Sequence, residues 1–471
     1  VEIYGFESGF FIYKNFLIIY IINLGGVIMY LAHFDENTHK AQSIKEHSEN
    51  TAVLAQDFAI AALKDTAFTA GIFHDIGKYQ NSFQKKITHN NALKVEHATC
   101  GALALSEYYN QITALLLAYC ISGHHTGIPD GGNFADSADD ITLSGRLKRH
   151  FADYQQFKKE LVIPKIDESA LKNFLQKDCN NVEMLTEKFA FFTRYIFSCL
   201  TDADSLDTAN FYAQKQDNPL SADFAACLAL IDEKLASFKA VTPLQKTRSA
   251  LQNQVFTNIG QKGEIFLLNM PTGSGKTLCS MKAALMRIQQ DKSKKRIIYI
   301  IPYNSITEQT AATFASIFGD KMDILQHYCT YYADDEDEQK QNSIKNAAEN
   351  WDAPVIITTY VQFFESLYDH KRHALRKLHN MADSILIFDE AHLLPEEYLQ
   401  PALQGIAFIS KYLNSEAFFL TATMPNFKEL IQKYALASSI IVDLVPNKAD
   451  FAAFQKCSFE NIGQISIEKL I

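Results

Sequence analysis

Two sets of residues capable of chemistry lie well apart on this chain. The first gathers around His74-Asp75-Ile76-Gly77-Lys78, between His47 and Asp204, and eight of the fourteen histidines precede residue 126. An imidazole and a carboxylate at adjacent positions can serve one metal ion, and the carboxylate can bridge two. His124-His125 lies between Gly123 and Thr126-Gly127, in a loop able to aim both rings inward. His47, His97 and Asp204 come from separated helical stretches, so a helical domain would have to assemble this site from inward-facing side chains. Asp202, in Asp202-Ala-Asp204, competes with Asp204 for the last place. Such a set is what a metal-dependent phosphohydrolase needs.

The second set is ordered along the chain: Pro271-Thr-Gly-Ser-Gly-Lys-Thr277, Asp389-Glu-Ala-His392 and Thr421-Ala-Thr-Met-Pro425. The run Glu264–Asn269 reads as a strand and Leu278–Gln289 as a helix, the context a phosphate-binding loop requires. Gly273 and Gly275, flanking Ser274, let successive backbone N–H groups curl around phosphates at a helix N-terminus. Lys276 would meet the β- and γ-phosphates of ATP, and Thr277 would hold Mg²⁺. The strict pattern has glycine where Met270 stands. Asp389 and Glu390 follow the apolar run Ile385-Leu-Ile-Phe388, so they leave a strand at its carboxyl end, where open α/β sheets bind ligands. Asp389 would anchor the metal, and Glu390 would orient and deprotonate the attacking water.

The elements that must hold these residues differ in texture. Thr51–Leu63, Ala98–Tyr109, Ile112–Ile121 and Met184–Leu200 are apolar without strand-like alternation, which implies an all-α domain. Beyond Pro243, short β-rich runs appear at Glu264–Asn269, Arg296–Ile301, Pro354–Thr359, Ser384–Phe388, Ala417–Thr421 and Ser439–Val442, separated by helical segments. Strands alternating with helices imply a parallel sheet covered on both faces. The expected order is an N-terminal extension (1–28), a helical metal domain (29–212), a linker (213–242), a RecA-like α/β domain (243–446) and the start of a further segment (447–471). At 471 residues the chain is too long for one domain.

Composition narrows the class. With 47% hydrophobic and 21% charged residues the chain is globular. A formal net charge of −10 argues against a general DNA-coating protein. Part of that acidity is local, in Asp334-Asp-Glu-Asp-Glu338, read as a solvated loop. The eight cysteines contain no Cys-x-x-Cys pair, so neither a zinc ribbon nor a disulfide scaffold is indicated and a reduced, cytoplasmic setting fits. Phe10–Leu31 is strongly apolar, which literally reads as a membrane or signal segment. Met29 opens an ordinary domain start, and the favoured expectation is that 1–28 extends the reading frame upstream, with no membrane role.

On these residues the chain resembles known families. Asp389-Glu-Ala-His392 and Thr421-Ala-Thr423 resemble the DEAH-box and motif III signatures of superfamily 2 helicases. That resemblance implies that His392, Thr421 and Thr423 couple ATP hydrolysis to nucleic-acid movement and that Gln245, in Thr242-Pro-Leu-Gln245, reads adenine. It also places Pro302-Tyr-Asn304 and Thr358-Thr-Tyr-Val-Gln362 at the DNA backbone. The spacing His47…His74-Asp75…Asp204 resembles the HD phosphohydrolase superfamily. By that resemblance His47, His74, Asp75 and Asp204 hold one metal and His97, His124, His125 and Asp75 surround a second, with Lys78 beside a phosphate oxygen. Ala-Asp-x-Leu resembles that superfamily's closing motif, which favours Asp204 over Asp202; His33, His39, His89 and His150 are left as surface or structural residues.

Both domains in this order resemble the CRISPR-associated helicase–nucleases of type I interference systems, including Tyr30-Leu-Ala-His33, Gln42-Ser-Ile-Lys-Glu-His47 and Asp202-Ala-Asp-Ser-Leu-Asp207. The resemblance implies cleavage of single-stranded DNA with Mn²⁺, Ni²⁺, Co²⁺, Fe²⁺ or Mg²⁺, recruitment by an RNA-guided surveillance complex, and ATP-driven unwinding. Residues past Pro446 show none of the later helicase motifs, so slow ATP hydrolysis and a separately supplied second helicase half are expected. An HD hydrolase of small nucleotides and a non-catalytic remnant of a split gene are the alternatives.

Overall fold

The computed structural model describes residues 29–89, 95–213, 219–328, 338–423, 426–434 and 438–455. The N-terminal extension, most of the acidic loop and most of 447–471 lie outside these, as do Met424 and Pro425. Among the described residues no helix is long and apolar enough to cross a membrane. The chain forms two compact units: the first comprises the chain up to Leu220 together with 329–352 and 361–382, the second the remainder.

The first unit is helical, as expected, but opens on a short antiparallel ribbon, β1 (Leu31–Phe34) and β2 (Ala41–Ser43). Its framework is α1 (Ile44–Phe58), α2 (Lys64–Phe73), α3 (Ala98–Ala104), α4 (Gln111–Gly123) and the long α5 (Val182–Tyr212). Side-chain caps fix where several of these start: Ser43 accepts from Glu46 N, Asn110 from Ile112 N and Thr113 N, and Asn181 from Met184 N. The expected single helix Thr51–Leu63 is broken, because Ala59 and Ile60 adopt extended backbone (ψ 143° and 153°). The break lets α2 turn back on α1. Two glycines permit the close packing that follows: a Cβ on Gly71 would lie 2.4 Å from Ala52 Cα, and one on Gly101 2.1 Å from the Phe73 carbonyl oxygen.

The second unit carries a seven-stranded, wholly parallel sheet in the order β5-β6-β4-β7-β8-β3-β9. Its strands are β3 (Ile265–Asn269), β4 (Arg296–Ile301), β5 (Ile324–His327), β6 (Val355–Thr359), β7 (Ser384–Phe388), β8 (Glu416–Thr421) and β9 (Ile441–Asp443). Every residue of β3, β4, β6, β7 and β8 is buried, as a parallel sheet covered on both faces requires. Alternate residues Phe266, Leu268, Ile297, Tyr299, Ile385, Ile387, Phe418 and Leu420 enter one core. Cys227 and Ile231 of α6 (Phe224–Ser237), Leu251 and Val255 of α7 (Pro243–Asn258), and α8 (Lys276–Gln290) pack into that same core. Thus α6, within the stretch read as linker, is structural core of the second unit.

Candidate metal centre and nucleotide site

Helix ends converge on the first site. His47 lies in the opening turn of α1, His74 caps the C-terminus of α2, His97 precedes α3, and His124 caps the C-terminus of α4. The last turn of a helix leaves carbonyls without partners. Here two of them take ring N–H groups: His74 Nδ1 donates to Gly71 O and His124 Nδ1 to Ile121 O, each at 2.7 Å. His97 Nδ1 donates to Val95 O at 3.1 Å, and His47 Nδ1 to Asp207 Oδ2 at 2.6 Å. Each bond orients its ring and turns Nε2 inward, as metal-ligating imidazoles are held. Gly77 completes the approach, since a Cβ there would fall 2.1 Å from the His97 carbonyl oxygen.

The inward atoms form two groups that share Asp75. Its Oδ2 lies 3.2 Å from His47 Nε2 and 3.3 Å from His74 Nε2; its Oδ1 lies 3.5 Å from both His97 Nε2 and His124 Nε2. His125 joins the second group, its Nε2 2.7 Å from that of His97. Asp204 Oδ1 stands 3.4 Å from His47 Nε2 and 3.8 Å from His74 Nε2. Asp202 points elsewhere, to Arg376 and Asn350, so Asp204 takes the place for which the two competed. Lys78, brought round by the turn Ile76–Tyr79, places Nζ 2.6 Å from Asp75 Oδ2.

These residues fit divalent cations on their own geometry. The Nε2 atoms of His47 and His74 face each other at 3.2 Å, an arrangement that needs a proton or a cation between them. Asp75 Oδ1 and His124 Nε2 are buried without hydrogen-bond partners, which is costly for groups removed from water. The electrostatics agree. Burial pulls His47 toward neutrality, but its bonds to Asp204, Asp207 and Asp75 outweigh that and raise its pKa to about 10. His97 is lowered to about 4 by burial, and His125 to about 2 by the neighbouring His124 and by burial. Burial would raise the Asp75 carboxyl, yet Lys78 and His74 hold it well below the usual range.

The second site follows from strand order. Strands β7, β8 and β3 are neighbours, so the segments after them share one carboxyl edge of the sheet. After β3, Gly273 and Gly275 have φ of +84° and +85°, which glycine alone adopts freely, and the loop runs into α8 at Lys276. Lys276 Nζ lies 3.5 Å from Glu390 Oε1 and 3.4 Å from Met270 O. Met270 itself is core, its N–H donating to Thr421 O. Asp389 is buried, its pKa raised by burial and by Glu390. Glu390 holds φ +47°, unusual for a residue with a side chain and of the kind that gathers at functional sites. His392 Nδ1 is 2.9 Å from Thr421 Oγ1, and Thr423 N donates to that same oxygen at 3.1 Å, which joins the three coupling candidates.

Three supporting residues had escaped the sequence reading. Asp207 orients His47 and also accepts from Gln42 and Asn50. It sits one turn after Asp204 and closes the quoted Asp202-Ala-Asp-Ser-Leu-Asp207 stretch, which gave it no role of its own. Gln252 donates to Ser274 O at 2.9 Å and braces the phosphate loop, whereas the Gln245 side-chain oxygen is taken by a capping box with Thr242. Tyr299 donates to Asp389 Oδ2 at 3.3 Å from within the sheet. His33, read as surface or structural, is largely buried with its ring 4.7 Å from His47, while His39 and His150 are exposed.

The HD domain family matches residues 44–151 and the DEAD/DEAH box helicase family residues 249–430, so the chain joins two domains of hydrolase families. More narrowly, most of the chain is similar to the CRISPR-associated nuclease/helicase Cas3. It is 22% identical to that protein from Haloferax volcanii, the match covering 78% of this chain and 46% of the relative. The helicase region alone is 26% identical to ATP-dependent DNA helicase Hel308 of Methanocaldococcus jannaschii, over 39% of this chain and 14% of that one. The crystal structure of T. fusca Cas3 with ATP shares the fold, with a TM-score of 0.55 at 16% identity over 86% of this chain and 51% of that one. The chain spans about half the length of these Cas3 relatives.

Proposed function

We propose that this chain is a metal-dependent nuclease joined to the nucleotide-binding half of a DNA motor, and that it degrades single-stranded DNA in type I CRISPR defence. The observation that carries the reading is the sharing of Asp75 between two groups of candidate ligands, the first of them fully buried. His47, His74, Asp75 and Asp204 would hold one divalent ion, and Asp75, His97, His124 and His125 the other. Their nitrogen and oxygen donors suit Mn²⁺, Fe²⁺, Co²⁺ or Ni²⁺, with Mg²⁺ favoured less by so many imidazoles. Such a pair, when bound, supplies Lewis-acid polarisation of a phosphodiester and an acidified water. Lys78 sets a positive charge beside Asp75, where a non-bridging phosphate oxygen would need it.

On the motor side, Gly273 to Thr277 would cradle ATP, Thr277 and Asp389 would hold its Mg²⁺, and Glu390 would orient the attacking water, with Gln245 a candidate for the base. The reading further assigns an RNA-guided surveillance complex and a second helicase half as partners. The reading takes the setting to be cytoplasmic, where the described cysteines, all free, would stay reduced. The test is a purified chain loaded with each metal and offered single-stranded DNA beside a panel of deoxynucleoside triphosphates. Cutting of the DNA, abolished in His74→Ala, is the expected result. Hydrolysis of the nucleotides alone would move the assignment to a small-nucleotide hydrolase, and equal inertness of wild type and variant would overturn it.

A further inference from the structure

One stretch of the first unit comes from the motor half of the sequence and reaches Asp204 and the loop that follows His125. Residues 361–382 belong to that unit, and within them Asp369–Arg376 touches one candidate ligand and the loop behind another. Behind the second group, Ile128 N donates to His370 O at 2.9 Å, three residues after His125. The fit is tight: Gly127 has φ +113°, and a Cβ there would lie 2.5 Å from that same carbonyl oxygen. At the first group, Arg372 Nη2 donates to Asp204 Oδ2 at 3.0 Å and to Ser205 Oγ at 2.6 Å.

The stretch is itself pinned. Arg376 gives Nε and Nη2 to Asp202 Oδ1 at 3.0 and 2.7 Å, and also pairs with Glu349. The other Asp202 oxygen accepts from Asn350 Nδ2 at 3.0 Å. His379 N donates to Ser198 Oγ, and the His379 ring stacks on Phe58 at 4.7 Å. Two aspartates of α5 therefore take two arginines, one turn apart, from a single short segment.

We propose that Asp369–Arg376 is a brace for the metal centre and that Arg372 is a positioning residue acting through Asp204. With Oδ2 held by the guanidinium, the carboxylate can offer only Oδ1, and that atom is the one facing His47 and His74. The brace follows Thr358-Thr-Tyr-Val-Gln362 in the chain, so metal affinity of the nuclease is set in part by residues encoded within the motor. This inference rests on the metal-centre reading above.

Position and charge pull in opposite directions, which makes the idea testable. A guanidinium beside a ligand orients it, but also repels the cation. The experiment is Mn²⁺ titration of the full chain, followed by electron paramagnetic resonance and calorimetry, for wild type, Arg372→Ala and Arg372→Gln, with melting in chelator as the control for folding. Positioning predicts that Arg372→Ala weakens one bound Mn²⁺ about tenfold, the usual scale for outer partners of metal ligands, with unchanged melting in chelator. Arg372→Gln, which keeps a donor for Oδ2, should then stay within about threefold of wild type. Equal or tighter binding by Arg372→Ala overturns the brace while leaving the metal centre standing. Should Arg372→Ala not fold, Arg372→Gln decides alone, and binding about tenfold tighter than wild type would overturn the proposal. Absence of Mn²⁺ binding in the wild type would instead overturn the metal-centre reading itself.

Discussion

The two candidate sites are built on opposite plans. The candidate metal centre is largely closed: His47, His74, Asp75 and His124 are at most 1% exposed, although His125 is exposed, and its side chains come from several separate helix ends. The candidate nucleotide site is open: Gly273 and Gly275 are exposed, on one short loop between a strand and a helix. The first must be fully preorganised, because buried donors cannot borrow water. The second needs only a strand, a turn and a helix start, which local sequence supplies. On the proposed reading, function follows the same contrast, one site retaining ions and the other exchanging a nucleotide.

Substitutions can break this contrast at either end. The largest effect is expected for Asp75→Ala, which removes the shared ligand and leaves Lys78 buried without its partner. Metal analysis should find neither ion, and the metal-free protein should melt with a loss of about 3–5 kcal/mol, the usual result of breaking a buried pair. Next comes Lys276→Ala, which should weaken ATP binding at least about tenfold, since charge-assisted hydrogen bonds contribute roughly 1.5–3 kcal/mol. Fluorescent-nucleotide titration checks it, and metal content should not change; a joint loss would mean that the sites are not independent.

Asp207→Asn sharpens the comparison from the side of the outer partners. Its expected cost is about 10–100-fold in metal affinity, read by calorimetry. The pH dependence carries the sign. A raised pKa of about 10 means that His47 keeps its proton well above neutrality, and a metal must displace that proton. Affinity should therefore keep rising with pH from 6.5 toward 10, and in Asp207→Asn the rise should shift down toward 6.5, the ordinary imidazole value. The smallest effect belongs to Tyr299→Phe, which deletes one hydrogen bond to Asp389 and should cost about 0.5–1.5 kcal/mol in Mg²⁺-dependent ATP binding.

What the sequence made legible follows the same division. The phosphate loop, Asp389-Glu390 and the strands bearing them are contiguous patterns, and β3, β4, β6, β7 and β8 lie within one residue of expectation. The edge strand β5 was missed, because four residues of Ile-Leu-Gln-His carry no strand period of their own. The helix break at Ala59 and Ile60 was hidden in a continuous apolar run, and α5 continues twelve residues past the expected Leu200 to carry Asp202, Asp204 and Asp207. Candidate metal ligands could be named as residue types, but Asp207 and Arg372 reach them only through partners 160 and 168 residues away. No local pattern encodes such pairs. The same reason hides the membership of 361–382 in the first unit.

The central claim is that Asp75 is common to two cations. Quantitative metal analysis of the purified chain by mass spectrometry, alongside His47→Ala and His125→Ala, tests it most directly. The account predicts two ions per wild-type chain and one in each variant. A single ion in the wild type, or the loss of every ion from both variants, would contradict it.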